Sequence, residues 1–220
     1  PYEYYKRYGI RKYGFHGTSH RAVAEEAAGE LKKPLTSLKL ITCHLGNGCS
    51  MTAVDKGASV DTSMGFTPLE GLLMGTRSGD LDPAVVFYMM EKESLSPGRI
   101  SDILNKESGL LGVSGVSNDM RDLLKASRLK GRTAVRAKLA IEIFIYRIEK
   151  YIGAHQGAMK GLDAVVFTAG LGEHNPWMVN RIKSDLKSVV NKKVKFLVIP
   201  ANEELLIARD AYDIIKQDSL

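Results

Sequence analysis

The stretch from Leu40 to Asp55 constrains the fold of this chain most, because two apolar segments flank a short glycine-rich connection. The connection contains Asn47-Gly48, the dipeptide that favours a two-residue hairpin turn in which both central residues take positive φ. A strand is therefore expected on each side of the turn. The predicted strands form an antiparallel meander at 38–43, 49–54 and 57–62.

The same turn is a candidate phosphate cradle. Gly46 and Gly48 have no side chain to cover their backbone N–H groups. The neighbouring polar side chains are those of His44, Asn47 and Ser50. An ordinary hairpin tip also explains these residues, so the local pattern leaves both interpretations open.

Composition and charge exclude several classes of protein. The chain has 220 residues, 44% hydrophobic and 25% charged, which is typical of a soluble globular protein with a substantial core. No apolar run approaches the roughly 18 residues that cross a membrane, and the first residues lack the apolar segment of a signal peptide. The net charge is +6, but the basic residues are scattered in short pairs among acidic ones. We therefore expect a cytoplasmic protein that binds a small anion, with neither nucleic acid nor membrane as a partner.

The two cysteines, Cys43 and Cys49, flank the glycine turn. A disulfide across the hairpin is one interpretation, but no other feature indicates secretion. Two cysteines beside one histidine also fall short of a zinc ligand set. Reduced thiols are therefore expected.

Capping residues and apolar runs predict the other elements. Ser19 is a candidate N-cap for a helix over 20–31, and Asp82-Pro83 and Ser96-Pro97 each place a cap before a proline. The continuous apolar run of Asp163–Thr168 predicts a strand buried in a parallel sheet. The remaining predicted elements are helices at 83–92, 97–106, 133–159, 176–190 and 202–217 and a strand at 194–199.

The helix over 133–159 has an apolar stripe. Its members are Val135, Leu139, Ile143 and Tyr146. Because apolar residues are so numerous in this helix, we expect it to be sandwiched between other elements.

Two polar loops are functional candidates. Residues 13–20 place His16, His20 and two hydroxyl groups around glycines, although a helix cap with incidental histidines is the alternative. Residues 63–82 form a loop of unusual length, which is more often functional than not. Arg77 lies in its glycine-rich part, either directed at a bound anion or simply exposed in a turn.

Two further glycine loops precede predicted helices, whose N-termini attract anions. In residues 109–121, Ser117 and Asn118 are the candidate caps. After the buried strand at 163–168, two glycines precede Asn175-Pro176, which follows the general plan of a nucleotide phosphate site.

Together, the glycine loops and the arginine loop resemble the acetate kinase family over nearly the whole chain. The matching motifs are Phe-His-Gly-Thr-Ser-His at 15–20, His-Leu-Gly-Asn-Gly at 44–48, Met-Gly-Thr-Arg-Ser-Gly-Asp at 74–80, Ser-Asn-Asp-Met-Arg at 117–121, Gly-Leu-Gly-Glu at 170–173 and Asn-Glu-Glu at 202–204. The resemblance implies an α/β fold, a ribonuclease H-like or actin-like ATPase lobe with a βββαβαβα plan and inserted helices. Propionate kinases are so similar that the sequence does not separate the two.

The resemblance also implies residue roles. His16 and Arg77 would be catalytic and stabilise the transferring phosphoryl group, Phe15 and Pro68 would line the acetate methyl pocket, and Glu203 would help to bind Mg²⁺. The residues implied to bind ATP or ADP are His44, Leu45, Gly46, Asn47 and Gly48 at the β/γ-phosphates, and Asp119, Met120, Arg121, Gly170, Leu171, Gly172, Glu173 and His174 at the rest of the nucleotide.

The implied activity is reversible transfer of the ATP γ-phosphate to acetate, giving acetyl phosphate and ADP, in a homodimer joined through this lobe. Residues 1–37 would form the interdomain approach and first helix, and residues 38–220 the C-terminal nucleotide-binding lobe. The family's N-terminal lobe, with its Asn-x-Gly-Ser-Ser-Ser motif, is absent from these residues, and the first residue is Pro1. We therefore expect part of a longer protein that catalyses little alone. A non-catalytic nucleotide-binding or dimerisation module is the alternative.

Two positions depart from the family pattern. Residues 190–194 join the helix to the following strand directly, where the family usually has an excursion. His174 stands where the family typically has Asn.

Overall fold

The computed structural model of the protein describes residues 1–218, which divide into two compact units. The first unit consists of Pro1–Phe15, Asn47–Cys49 and Ser63–Tyr151. The second consists of His16–Gly46, Ser50–Thr62 and the chain from Ile152 onward. The predicted division at residues 37 and 38 concerns function, and it stays a prediction.

The second unit is built on a five-stranded sheet with the order β3-β2-β1-β4-β5. β1 (Lys39–Leu45) is parallel to β4 (Ala164–Thr168), which is parallel to β5 (Lys195–Val198). β2 (Cys49–Asp55) and β3 (Ala58–Thr62) pair in antiparallel fashion. The predicted meander, the two later strands and the α/β lobe with inserted helices are confirmed.

The connection between β1 and β2 differs from the prediction. Neither Asn47 nor Gly48 has positive φ, and three residues, 46–48, join the strands. The two-residue hairpin turn is therefore wrong. β1 continues to Leu45, whose side chain is completely buried, so the strand extends beyond its predicted end before the chain turns.

α2 (Gly17–Leu31) packs against β1 through a face of small residues. Alanine side chains let a helix lie close to a strand and lose no side-chain entropy on burial. The buried apolar cluster consists of Val23, Ala24, Ala27, Ala28, Leu38, Leu40, Val54, Ala164, Val166 and Ile199. The predicted helix is confirmed, but its N-cap is His16 and Ser19 lies inside the first turn. Ser19 as the cap is therefore wrong.

Two helices of the first unit begin where the sequence predicts. The Asp82 carboxylate accepts a bond from Ala84 N at 2.9 Å and caps α3 (Pro83–Glu93). The Ser96 hydroxyl accepts from Arg99 N at 3.2 Å and caps α4 (Pro97–Asp102), which continues as a π-helical segment, Ile103–Glu107. In both cases cap and helix are adjacent in sequence, so local chemistry decides the start.

Other parts of the first unit differ from the prediction. The sequence does not predict α1 (Tyr2–Tyr8), and α5 (Gly109–Ser114) lies where a loop was expected. α6 (Met120–Ala126) is capped by Asp119, whose carboxylate accepts from Arg121 N at 2.8 Å. Ser117 and Asn118 are therefore wrong as caps. The Ser117 hydroxyl instead accepts from Asp119 N and donates to Asp122.

α7 (Arg132–Met159) confirms the long predicted helix, but not its predicted burial. Val135, Leu139 and Tyr146 are 66%, 50% and 56% exposed. The buried face is a different one and includes Ala137, Ala140, Phe144, Ile145 and Ile148. α7 therefore has one exposed face, and the prediction that this helix is sandwiched between other elements is wrong.

The end of the second unit follows the predicted order. α8 (Ala169–His174) and α9 (Pro176–Asp185) lead to β5, and α10 (Glu203–Asp218) follows. Asn175 stands at the N-cap of α9 as predicted, but its side chain donates to Leu171 O at 3.0 Å. Residues 1–218 contain no helix long and apolar enough to cross a lipid bilayer.

Candidate functional site

The carboxyl ends of the parallel strands form one edge of the sheet in the second unit. His44 and Thr168 are register partners at the ends of β1 and β4, and α10, which follows β5, begins at Glu203. Ligands of open α/β sheets bind at this edge, because the segments that follow the strands meet there. Thr168 is completely buried, and its hydroxyl has no hydrogen-bond partner among residues 1–218. This edge is therefore the candidate site.

A histidine cluster occupies the edge. Ser19 and His20 lie in the first turn of α2, and His16 is the N-cap residue of that helix. Opposite them are Thr42 and His44, alternate residues of β1, and Ser50 of β2. The contacts are Ser19 Oγ to His44 Nδ1 at 2.8 Å, His20 Nδ1 to Thr42 Oγ1 at 2.7 Å, His20 Nε2 to Ser50 Oγ at 2.7 Å and His16 Nδ1 to Ser50 Oγ at 2.8 Å.

The His16 ring is held by both its backbone and its neighbours. His16 has φ 59° and ψ 30°, the left-handed region, where a non-glycine residue costs about 1 kcal/mol or more. Its ring stacks on that of His44 with 4.2 Å between ring centroids and an interplanar angle of 18°. Strained backbone of this kind concentrates at functional sites, where the surrounding structure holds the residue in place.

Burial lowers the pKa of two histidines in the cluster. Burial, and then the charges of His44, His16 and His155, lower the pKa of His20 to about 3, so His20 is neutral at pH 7. Burial also lowers the pKa of His44, while the carboxylates of Glu203 and Glu173 oppose that shift. His20 therefore contributes to the cluster as a neutral hydrogen-bonding ring.

Glu203 reaches the cluster from α10. Its Oε1 lies 3.9 Å from His44 Nδ1. α10 is attached to α2 by buried Leu206 and by two bonds from the Arg21 guanidinium to the Asp210 carboxylate, at 2.8 and 3.1 Å. The docking of these two helices thus determines where the Glu203 carboxylate lies.

The predicted nucleotide segment Gly170–His174 lies in α8 and not in an extended loop. Gly172 is buried, and a Cβ there would be 3.4 Å from the Phe167 backbone, an ordinary van der Waals contact, so packing does not require a glycine at this position. A Cβ on Gly170 would meet nothing within 4 Å. Packing does not require a glycine at 170, and the space beside it is open to a ligand. The Glu173 carboxylate accepts from Ala201 N at 2.9 Å, while His174 is exposed.

Arg77 is the candidate anion-binding residue of the first unit. It is half-buried, and its Nη1 donates to Pro68 O at 3.2 Å and contacts Met74 Sδ at 3.7 Å. Within the described part of the chain the guanidinium forms no ion pair with a carboxylate. A half-buried cation without a paired anion is suited to binding an anionic ligand.

The other predicted residues of the first unit have varied surroundings. Phe15 and Pro68 are half-buried, and Asn47 is exposed. The Asp119 carboxylate pairs with the exposed Arg121 guanidinium at 2.5 Å, and this contact lowers the pKa of Asp119. Met120 is buried, so its side chain packs in the core. Leu45 in the second unit is likewise buried.

Residues 1–218 contain no group of three or more His, Cys, Asp or Glu side chains placed to hold a metal ion. Mg²⁺ is commonly bound through one or two carboxylates together with waters and substrate phosphates. The partly exposed Glu203 carboxylate fits the role of one such ligand.

The sequence motifs identified His16, His44 and Glu203, which the fold brings together in the second unit. Sequence reasoning missed Ser19, Thr42 and Thr168 as parts of this edge and assigned His20 no partner. The alternating positions of Thr42 and His44 could have predicted that both side chains face the same side of the buried strand. Their pairing with α2 depends on tertiary packing.

The fold is an α/β lobe whose five-stranded sheet carries histidines, hydroxyls and a carboxylate at its carboxyl edge. The model of the acetokinase family matches residues 1–190. The acetate kinase of Heliobacterium modesticaldum is 52% identical over 235 residues, which cover 98% of this chain and 58% of that protein. The chain belongs to the acetokinase family.

Two solved structures resemble the fold closely. The crystal structure of Porphyromonas gingivalis acetate kinase has a TM-score of 0.91 and 41% identity, with 98% of this chain and 58% of that chain covered. The crystal structure of a propionate kinase from Francisella tularensis has a TM-score of 0.86 and 44% identity, with 94% and 57% covered. The chain thus spans less than two thirds of the length of these relatives.

Proposed function

We propose that this chain is the nucleotide-binding lobe of an acetokinase-type phosphotransferase that transfers the γ-phosphate of ATP to acetate. The observation that carries the proposal is the histidine cluster with Glu203 at the carboxyl edge of the sheet, in a chain of this family. The products are acetyl phosphate and ADP, and the reaction is reversible.

The chemistry matches the residue types. Acetate is already ionised at neutral pH, so its attack on phosphorus needs no general base. The task is to hold two anions and to stabilise charge on the transferring phosphoryl group, which requires positioning and electrostatics. Histidines at a hydrogen-bonding edge, and a guanidinium that forms no ion pair with a carboxylate among residues 1–218, are suited to that task.

Each proposed residue has one role. His16 donates a hydrogen bond to the phosphoryl group, and Arg77 stabilises its charge. The segment 44–48 binds the β/γ-phosphates, while 119–121 and 170–174 bind the rest of the nucleotide. Phe15 and Pro68 border the acceptor's methyl group.

Glu203 is the proposed protein ligand of Mg²⁺. The bound ion neutralises phosphate charge, which is its usual contribution to phosphoryl transfer. The carboxylate is partly exposed beside His44, which leaves it accessible to a hydrated ion. Chelation of Mg²⁺ should therefore abolish turnover and weaken nucleotide binding.

Propionate is the second candidate acceptor, because the Francisella tularensis propionate kinase is 44% identical to this chain. A pocket of apolar groups discriminates one methylene by only about 10- to 200-fold. The ratio of kcat/KM for acetate and propionate, measured by trapping the acyl phosphate with hydroxylamine, decides between them. A higher value for propionate would overturn the assignment to acetate.

We also propose that the 220-residue chain alone binds ATP but transfers little phosphate, because it spans only 58% of the length of its curated relative. Trp177 is the single tryptophan and lies three residues beyond His174, so its fluorescence should change when ATP binds. Full acyl phosphate formation by this chain alone would contradict the half-site proposal. Absence of ATP binding would contradict the nucleotide role and also the alternative of a non-catalytic nucleotide-binding module.

A further inference from the structure

Three side chains connect His16 to the interior of the second unit. Ser50 Oγ lies 2.8 Å from His16 Nδ1 and 2.7 Å from His20 Nε2, and Thr42 Oγ1 lies 2.7 Å from His20 Nδ1. His20, Ser50 and Thr42 are all buried, at 4%, 0% and 0% exposure. Bulk water is thus excluded from the bonds, and the side chains must satisfy one another.

While both histidine rings are neutral, the number of available protons allows only two arrangements of the hydrogen bonds that join His16, Ser50, His20 and Thr42. A neutral imidazole has one N–H donor and one acceptor nitrogen, and a hydroxyl has one proton to donate. Ser50 bonds both histidines, and accepting from both rings would leave its own buried proton without an acceptor among residues 1–218. Its proton therefore goes to one ring and its oxygen accepts from the other. The proton positions on His16 and His20 are therefore coupled through Ser50.

In the first arrangement the Thr42 hydroxyl donates to His20 Nδ1, His20 Nε2–H donates to Ser50, and Ser50 donates to His16 Nδ1. The His16 proton then lies on Nε2. In the second arrangement every donor is reversed, His16 carries its proton on Nδ1, and the Thr42 hydroxyl must turn to another acceptor. The acceptor in reach is Thr52 O, at 3.5 Å.

The distances favour the first arrangement. The contact from Thr42 Oγ1 to His20 Nδ1 is 2.7 Å, a short and strong hydrogen bond, whereas 3.5 Å to Thr52 O is at the limit of one. Of the two arrangements, only the first gives the buried Thr42 hydroxyl an acceptor at a short hydrogen-bond distance. The reversed arrangement weakens the donation from a group with no access to water.

We infer that Ser50 and His20 are positioning residues that keep the proton of neutral His16 on Nε2. In catalysis the inference rests on the proposed function, since the Nε2–H tautomer lets an uncharged His16 donate a hydrogen bond to a phosphoryl oxygen. The charged or titratable groups around the cluster are His44 of β1, His155 of α7, Glu173 of α8 and Glu203 of α10.

The direct test is the tautomer of His16, observed by ¹⁵N NMR in histidine-labelled protein at pH 8. Wild-type protein should show His16 with a bare Nδ1 and a protonated Nε2. Ser50→Ala should move His16 towards a mixture of the two tautomers, and Ser50→Thr should restore the wild-type pattern. Thr52→Val removes a buried hydroxyl from the same strand, two residues away and without a histidine contact, and should leave His16 unchanged.

His20→Gln provides a second variant if Ser50→Ala does not fold. A glutamine amide can replace the Nε2–H donor of His20 to Ser50, so the His16 tautomer should be retained, whereas His20→Leu should lose it. An Nδ1–H tautomer in wild-type His16, or an unchanged tautomer in both Ser50→Ala and His20→Leu, would overturn the inference.

Activity separates this inference from the proposed function. In the longer protein, Ser50→Ala should lower kcat about tenfold, with KM for ATP changed less than about twofold and rescue by Ser50→Thr. Absence of acyl phosphate formation in the wild type would refute the proposed function, but the NMR result would stand. A tautomer shift without a change in kcat would refute the catalytic part alone.

Discussion

Each histidine of the cluster is in a different environment, and burial separates their behaviour. His20 is buried and bonded at both ring nitrogens, while His44 is half-buried and lies near two carboxylates. His174, by contrast, is exposed on α8. His20 and His44 therefore differ from His174 in their surroundings, and burial lowers the pKa of both.

The buried His20 should make the protein less stable as the pH falls below 6.5. Its pKa is lowered to about 3 in the folded state, from 6.5, so the unfolded chain binds one more proton between these values. The contribution of neutral His20 to the free energy of unfolding is therefore fully present above pH 6.5. It is lost as the pH falls towards 3, by at most about 1.4 kcal/mol per pH unit.

Urea unfolding at several pH values between 5 and 7.5 measures this contribution. His20→Gln should reduce the pH slope of the free energy of unfolding by about 1 kcal/mol per unit below pH 6. His174→Gln is the exposed control and should change the slope little. Equal slopes for wild type and His20→Gln would show that His20 is not neutral in the folded protein.

Arg77 should contribute through its planar guanidinium as well as its charge. Arg77→Lys keeps the charge but loses the forked geometry, and Arg77→Ala loses both. We expect kcat for acyl phosphate formation, measured on the proposed enzyme with both lobes present, to fall about 10³-fold for alanine and less for lysine. Arg99→Lys, at an exposed arginine paired with Glu107, is the control and should retain activity. An Arg77→Ala variant with wild-type kcat would remove Arg77 from the mechanism.

At the scale of elements, the Asp80 carboxylate connects the loop over 63–82 to α7. Asp80 accepts hydrogen bonds from Gly71 N at 2.8 Å and from the Tyr151 hydroxyl at 2.8 Å, and Arg147 pairs with it at 3.4 Å. Burial and the bond to Asp80 raise the pKa of Tyr151. The loop that carries Arg77 is therefore attached to α7 at its end.

Tyr151→Phe should loosen this attachment. Loss of one hydrogen bond to a charged group costs about 1 to 3 kcal/mol of stability. Amide exchange of Gly71 and Asp80 should become several-fold faster, because their bonds depend on the Asp80 position. Tyr88→Phe, at an exposed tyrosine of α3, is the matched control. Unchanged exchange in Tyr151→Phe would show that Tyr151 does not hold the loop.

Gly79 should be required for the backbone conformation of the same loop. Gly79 has φ +66°, and a Cβ there would lie 2.3 Å from Leu72 O. Gly79→Ala should therefore destabilise the protein by about 2 to 4 kcal/mol. Gly29→Ala, in α2 with nothing within 4 Å of the added Cβ, should stabilise it by about 0.5 to 1 kcal/mol. Thermal unfolding of both variants tests the sign, and destabilisation by Gly29→Ala would contradict this account.

The elements that sequence predicts correctly are those decided by neighbouring residues. Asp82 and Ser96 cap their helices because the cap and the bonded N–H are two or three residues apart. The failures depend on distant residues. Ser19 turns to His44 and not to its own helix, and burial of Leu45 extends β1 into the expected turn. No local pattern contains that information.

At the scale of the whole molecule, the exposed stripe of α7 predicts self-association. Val135, Leu139 and Tyr146 lie along one face of the helix and are more than half exposed or nearly so. Exposed apolar patches on stable proteins commonly mark interfaces. The family resemblance implies a homodimer, and this stripe in the first unit is the proposed contact.

Leu139→Glu should disrupt the dimer by placing a charge in the apolar contact. Sedimentation velocity should show a dimer for the wild type and a monomer for the variant. Lys138→Glu changes the charge of the neighbouring position outside the stripe and is the control. A wild-type monomer at micromolar concentration, or a dimeric Leu139→Glu variant, would contradict the proposed interface.

The family motifs identified much of the candidate site, but not the way its parts depend on one another. His16, His44 and Arg77 belong to recognisable motifs, whereas the link from His16 through Ser50 to His20 joins residues 34 and 30 positions apart. The space around a glycine, which is filled at Gly172 and open at Gly170, depends equally on what the folded chain places beside it.

The alkylation rates of the two buried cysteines can show how often the structure around each of them opens. Cys43 lies in β1 and Cys49 begins β2, and both side chains are buried. Burial raises the pKa of both thiols, that of Cys49 to about 12 despite the opposing charge of Arg77. The thiolate is the reactive form, so alkylation must wait until the surrounding structure opens. With Cys43→Ser and Cys49→Ser variants, labelling rates would measure separately how often the structure opens around each remaining cysteine.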